Sequence, residues 1–346
     1  MISTLLVGFG FSAQTFHLPF LSYLSDFSID GVVSSRPSEV KHVLPLAKVY
    51  SSLEEALETN NQAYPAFDLV IITTPNHLHA PQAELALNHG CNVLVEKPFT
   101  LNADEASALV NLAKEKQKHL CVYHNRRFDG DFITLQSLIK DGALGEIKRF
   151  ESRFDRFRPV PRDRWRENAG PGSGIFWDLG PHLIDQALQL FGNPLSVSSD
   201  IYTLRDQGQS DDAFDITLYY ADKVVKLGSS AFQGGQTLRF DIQGTKASYR
   251  KFYLDPQEDQ LRQGKEINSS DWANTPSAQH GVLANGESSS VITTKHGKYL
   301  AFYEKLASAI QNDTPLPVSA ESVVPVIQII EMAIEANKQQ QRLMLI

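Results

Sequence analysis

The first thirteen residues constrain the chain most. An apolar strand, Thr4 to Val7, runs directly into Gly8-Phe9-Gly10-Phe11-Ser12-Ala13, and a helical run follows. Glycines in the first two slots permit a tight turn and let backbone approach a pyrophosphate. Ala13 fills the third slot, where a helix packs on the strand. A helix starting there aims its N-terminal amides at an anion. As a bare string, G-x-G-x-x-A is weak; between an N-terminal strand and a helix it points to a dinucleotide-binding βαβ unit.

Strand and helix then keep alternating. Ile29 to Val33 reads as a second strand and ends in Ser34-Ser35-Arg36. A carboxylate just past this strand would suit the ribose 2′-hydroxyl of NAD, whereas two hydroxyls and a guanidinium suit a 2′-phosphate. Asp30 falls too early, inside the strand. NADP(H) is therefore expected in preference to NAD(H). Phe67 to Thr73 is a buried-looking strand ending in Thr74-Pro75-Asn76-His77, and Leu78 to His89 is a helix stopped by Gly90. Cys91 to Val95 is another strand. Asn102 and Glu105 form a capping box for a helix running to about Lys118, and Leu120 to Tyr123 closes the half. This rhythm predicts an α/β, Rossmann-type, doubly wound parallel sheet over residues 1–123. It gathers four loops at one edge: Gly8 to Ala13, Thr73 to His79, Glu96 to Pro98, and His124 to Arg127. Ligands of such sheets sit at the carboxyl ends of strands. Glu96-Lys97-Pro98 ends a strand there, so Lys97 reads either as a fixed charge beside a reacting oxygen or as part of a plain surface turn.

The pattern changes in the second half. After a helix near Asp131 to Lys140, Glu146 to Phe157 alternates. Candidate strands follow at Ser196 to Leu204, Phe214 to Tyr220, Val224 to Phe232, Leu238 to Gly244 and Ala247 to Leu254. They predict an α+β domain over residues 124–346 with a large open, mainly antiparallel sheet. One face of such a sheet needs cover, which a homodimer would supply. Asp255 to Ser290 reads as a long loop with one short helix. Helices near Tyr299 to Gln311 and Val323 to Lys338 end the chain and are free to pack back on the first domain. Between these elements lies Gly172 to Asp185, where Pro181 reads as the first residue of a helix. His182 falls in that first turn, four residues after Asp178. The carboxylate could fix the ring's tautomer and leave the other nitrogen as acid or base; a helix cap and a surface histidine are the plainer roles. An arginine-rich run from Arg149 to Arg166 suggests cross-strand ion pairs, while Arg164-Trp165-Arg166 is placed to reach a cofactor or substrate.

Composition excludes other classes. The chain has 346 residues and a net charge of -8, which argues against a nucleic-acid binder. No apolar run approaches the roughly 20 residues of a membrane span. The N-terminus lacks the basic region of a signal peptide, so a cytoplasmic protein is expected. Cys91 and Cys121 sit in apolar runs as small hydrophobes, and no metal-ligand spacing occurs, so no metal is expected.

The G-x-G-x-x-A turn, Glu96-Lys97-Pro98 and Asp178-x-x-x-His182, together with Val122 to Phe128 and Asp163 to Glu167, resemble the Gfo/Idh/MocA oxidoreductases. The likeness is to the branch containing NADP-dependent scyllo-inositol dehydrogenases. It implies a hydride transfer between a nicotinamide cofactor and a cyclic polyol or sugar. Lys97, His182 and Asp178 would be catalytic: Lys97 polarising the hydroxyl, His182 exchanging its proton, Asp178 orienting His182. It further implies cofactor contacts from Gly8, Phe9, Gly10, Phe11, Ser12, Ala13, Ser35, Arg36, Thr73, Thr74, Pro75, Asn76, His79, Glu96, Lys97, Asn125, Trp165 and Arg166. Substrate contacts would come from Lys97, Tyr123, Asn125, Arg127, Asp178 and His182, and the Lys97–Pro98 bond would be cis. Two other readings of the fold are a nucleotide-sensing regulator without catalysis and a redox-assisted glycosidase with a retained nicotinamide. A sensor is expected to lack Lys97 or His182, and both are present.

Overall fold

Parallel strands cannot be joined by tight turns, so each pair needs a crossover, and the first part of the chain supplies them. The computed structural model describes residues 1–58 and 67–345. The chain divides into two units. The first comprises Met1–Asn125, Glu258–Trp272 and Tyr299–Val324. The second comprises Arg126–Gln257, Ala273–Lys298 and Pro325–Ile346. Two late segments therefore belong with the first unit.

Among the described residues, the sheet of the first unit has six strands: β1 (Ile2–Val7), β2 (Phe27–Val33), β3 (Lys48–Tyr50), β4 (Leu69–Ile72), β5 (Asn92–Val95) and β6 (Leu120–Val122). Their order is β3-β2-β1-β4-β5-β6, and every pair is parallel. This is the doubly wound sheet that the alternation implies. Leu5, Leu6, Val7 and all of Leu69–Ile72 are buried, as strands covered on both faces must be. Strand order reverses between β1 and β4, and the crevice outside their carboxyl ends is the place for a ligand. The short β3 carried no sequence signal. After the glycine turn the chain is π-helical over Ala13–His17 and α-helical over Leu18–Tyr23. Asn102 caps Ala103–Glu115 as expected, its Oδ1 accepting from the Glu105 amide at 2.7 Å. No described helix is long and apolar enough to cross a membrane.

The second unit holds β7 (Ile147–Arg153), β8 (Ser196–Tyr202), β9 (Ala213–Tyr219), β10 (Val224–Ser230), β11 (Leu238–Gly244), β12 (Ser248–Phe252), β13 (Gly281–Ala284), β14 (Ser289–Ile292) and β15 (Leu343–Met344). The order is β14-β13-β12-β11-β7-β10-β9-β8-β15; only β7 and β10 pair in parallel among the described residues. Two expectations need correction. The stretch Asp255 to Ser290, expected to be a loop with one short helix, has the helix Gln257–Arg262 but also the edge strand β13 and the start of β14. These strands are only four residues each, β14 is mostly exposed, and they are ordered by backbone pairing of β13 with β12 and of β14 with β13, which leaves too short an alternation to read.

The second correction concerns Pro181. It lies inside a helix spanning Ile175–Phe191 rather than at its start. The helix begins six residues earlier because Asp211 satisfies its first amides. The Asp211 carboxylate accepts from the Phe176 amide at 2.6 Å and its carbonyl from the Ile175 amide at 2.8 Å. An aspartate 35 residues downstream of Phe176 serves as the cap, which no local pattern reveals. Gly174 precedes the helix at φ 96° and ψ 165°, a region open almost only to glycine, and a Cβ there would overlap the Asp211 carboxylate. Gly174→Ala is expected to destabilise the protein by roughly 2 kcal/mol or more, read as a lower urea midpoint; an unchanged midpoint would contradict this account of the helix start.

Candidate active site

The first unit brings the predicted turns to one edge of its sheet. Gly8, at φ +93°, donates its amide to the Val33 carbonyl at 3.0 Å. Thr73, after β4, places its hydroxyl 3.0 Å from the Val7 carbonyl, and a Cβ on Gly8 would come within 2.9 Å of that hydroxyl. Gly10 is different: a Cβ there would meet nothing within 4 Å. The turn therefore has open space at Gly10. Phe9 and Ala13 are buried, and Phe11 is half exposed. Arg36, just past β2, donates to the Phe9 carbonyl at 2.6 Å and meets Glu39 at 2.7 Å. Gln14 also donates to the Phe9 carbonyl, at 3.0 Å, and to Glu39 at 2.8 Å. The guanidinium is thus fixed against the glycine turn with half its surface exposed, next to exposed Ser35.

Beside this turn, the β5 tip is held from two sides. Glu96 is buried. Its Oε2 accepts the Lys97 amide at 3.0 Å, and its Oε1 accepts from the Ser12 hydroxyl and lies 3.2 Å from His17 Nε2. Burial alone would raise this carboxyl, but the hydrogen bond and charge of His17, the Ser12 hydroxyl and Lys97 outweigh it and lower its pKa to about 2. On the other side, His79 sets Nδ1 2.7 Å from the Pro98 carbonyl and Nε2 3.0 Å from the Thr74 carbonyl. His79, expected at the cofactor, thereby clasps two loops of the edge together. The Lys97–Pro98 peptide is cis, and the Lys97 side chain is half-buried. Thr74 spends its hydroxyl on Gln82 at 2.6 Å, Pro75 leads into the Asn76–Leu78 turn, and Asn76 and Asn125 are buried. Tyr123, expected at the substrate, is turned inward and donates to the Phe16 carbonyl at 2.9 Å.

The second unit carries the other predicted residues. His182 is buried on the helix Ile175–Phe191, and Asp178 is one turn before it. Asp178 Oδ2 is 3.2 Å from Arg156 Nη1, and Oδ1 is 3.8 Å from Arg166 Nε. Arg166 stacks 4.5 Å from the Trp165 ring centroid, while Arg164 is taken by Glu167 at 2.6 Å. A depression of about 380 Å³, open to solvent, adjoins Asp178 and is lined by Arg156, Arg158, Arg164, Arg166 and Arg205.

Sequence reasoning missed the residues that set this helix in place. Arg127, expected at the substrate, grips Asp185 with two bonds, Nε at 2.9 Å and Nη2 at 2.6 Å. Gln186 donates to the Arg126 carbonyl at 2.7 Å and accepts from the fully buried Arg239 at 2.6 Å. Arg239 also reaches Asp131 at 3.2 Å and Ser152 at 2.9 Å. A polar Asp185-Gln186 pair within an apolar helical face was the available signal.

Two family models match the chain. One, described as the NAD-binding Rossmann fold of an oxidoreductase family (GFO_IDH_MocA), covers residues 2–124; the other, its C-terminal alpha/beta domain, covers 136–345. The uncharacterized oxidoreductase YdgJ of Escherichia coli is 40% identical over 96% of this chain and 95% of its own length. The scyllo-inositol 2-dehydrogenase (NADP(+)) IolW of Bacillus subtilis is 37% identical over 98% of this chain and 95% of its own. The solved structure of yvaA from Bacillus subtilis matches with a TM-score of 0.94 at 36% identity, covering 100% of this chain and 99% of that one.

The low pKa of Glu96 has a sign that can be tested. Its folded value of about 2 lies below the ordinary 4.5, so the stability it contributes is complete above about 4.5 and is lost as pH falls toward about 2. The urea midpoint of the wild type relative to Glu96→Gln should therefore fall across that window. A difference that stays constant with pH would show that no ionised Glu96 is being held.

Proposed function

Because the chain belongs to the Gfo/Idh/MocA oxidoreductase family, we propose that it is an NADP(H)-dependent dehydrogenase. Its reaction moves a hydride reversibly between the cofactor and a secondary hydroxyl or ketone of a cyclic polyol or sugar. The observation that carries this reading is Lys97, held at the carboxyl end of β5 beside the glycine turn. The naming of IolW as an NADP(+)-dependent scyllo-inositol dehydrogenase supports the choice of cofactor and substrate class.

The residues fit a dinucleotide. The open side of Gly10 admits a pyrophosphate, and the half-exposed Arg36 offers a planar donor fork to a 2′-phosphate. When bound, NADP(H) supplies the hydride chemistry. The chain supplies the rest. Lys97 brings its ammonium to the substrate oxygen and stabilises the alkoxide that develops there. His182 accepts the hydroxyl proton in oxidation and returns it in reduction, since an ordinary secondary alcohol does not ionise at neutral pH. Asp178, itself held by Arg156, orients the His182 ring.

Three measurements test the assignment. A panel of polyols and sugars, followed by NADPH absorbance, should reveal turnover with free release of reduced cofactor; turnover without release would favour a retained nicotinamide. Lys97→Ala should lower kcat about 10²–10³-fold while NADPH still binds, and unimpaired turnover would remove Lys97 from its role. Arg36→Asp should weaken NADPH relative to NADH by roughly 10–100-fold in fluorescence titrations. Equal weakening of both cofactors would mean that Arg36 does not read the 2′-phosphate.

A further inference from the structure

The histidine against Glu96 belongs to neither the glycine turn nor the Glu-Lys-Pro tip, and no role above uses it. His17 is fully buried, the last residue of the π-helical segment Ala13–His17. A π turn shifts the facing of the residues that follow and recurs at functional sites. Here the chain passes from π to α at His17, whose ring lies against Tyr123 with centroids 4.5 Å apart.

Both ring nitrogens of His17 have partners. Nδ1 lies 3.1 Å from the Tyr303 hydroxyl, whose oxygen is also 2.6 Å from the Phe16 carbonyl. On the other side, Nε2 faces the Glu96 carboxylate at 3.2 Å, which can only accept, so the ring donates there. A buried carboxylate is costly to strip of such a donor, because its charge is then left desolvated. The other titratable and charged groups near the pair are Lys97, Tyr123, Tyr303 and Cys121.

The carboxylate so held has two further bonds, one from the Ser12 hydroxyl in the dinucleotide turn and one from the Lys97 amide. We propose that His17 is a positioning residue for Lys97: by gripping Glu96 it ties the backbone of the lysine to the turn that receives the cofactor. The proposal rests on the reading of Lys97 given above. Tyr303, itself bonded to the Phe16 carbonyl, in turn holds His17. Without His17, burial drives the Glu96 carboxyl toward its neutral form, and a protonated Glu96 is a poorer acceptor for both Ser12 and Lys97.

The test compares the full-length wild type with His17→Phe, which keeps a planar ring and loses both ring nitrogens, and His17→Gln, which keeps one neutral donor. Glu96 is followed by carbon NMR of glutamate-labelled protein, without substrate. Turnover is followed with scyllo-inositol and NADP(+) as probes. In the wild type Glu96 should stay ionised down to about pH 4. In His17→Phe its midpoint should rise above about 5, with His17→Gln between. A new break should appear in the acid limb of the kcat profile at the same pH, with kcat at neutral pH lowered about tenfold and substrate KM within about twofold. His17→Gln should recover part of the loss. If His17→Phe does not fold, His17→Gln alone must still move both the carboxyl midpoint and the acid limb. A Glu96 titration that is the same in every folded variant overturns the pairing. A shifted titration with an unmoved kcat profile overturns the link to Lys97. Because the carboxyl is read without substrate, failure of the dehydrogenase reading and failure of the His17 assignment give different results.

Discussion

Parallel pairing around β1 is the constraint on which the first unit depends. With β2 on one side and β4 on the other, β1 can form no hairpin, so every strand must leave the sheet at the same edge. That edge collects the glycine turn, Thr73, Glu96 and Lys97 although they are spread over 90 residues of chain. The two faces of the sheet are buried, which consumes the apolar residues of the strands. Polar chemistry is left to the strand ends, where backbone groups are not all committed to the ladder.

Gathering charge at a buried edge has a cost, and the structure offsets it locally. Glu96 would be neutral if it were merely buried; His17, Ser12 and the Lys97 amide hold it as an anion. His79 performs a related task with two carbonyls, joining the loop after β4 to the loop after β5. The lysine between these clasps has a well-anchored backbone.

The second unit solves a comparable problem with a helix. His182 sits on an element whose start is capped by Asp211 and whose middle is gripped through Asp185 and Gln186. Burial pushes Asp211 up to about 6, a sign that this carboxylate is kept for the amides it caps rather than for solvent. Arg239, inside the core, is acceptable there because Asp131, Ser152 and Gln186 accept from it.

Much was legible in the chain itself. Local chemistry wrote the glycine turn, the Asn102 cap, the alternating strands from β7 to β12 and the two closing helices, because each depends on residues a few positions apart. The Glu-Lys-Pro tip and the Asp178/His182 spacing were equally visible, and the family matches agree with the resemblance they carried. Partnerships across long stretches of chain were not legible. Asp211 capping a helix that starts at Ile175, Tyr303 holding His17, and the pairing of β13 with β12 are decided only when distant segments meet. The same is true of Tyr123 and Arg127, whose bonds to the Phe16 carbonyl and to Asp185 cross long stretches of chain. Periodicity and caps report the backbone's local preferences. Which buried polar group satisfies which is settled by tertiary packing, because only there does desolvation make an unmet hydrogen bond expensive.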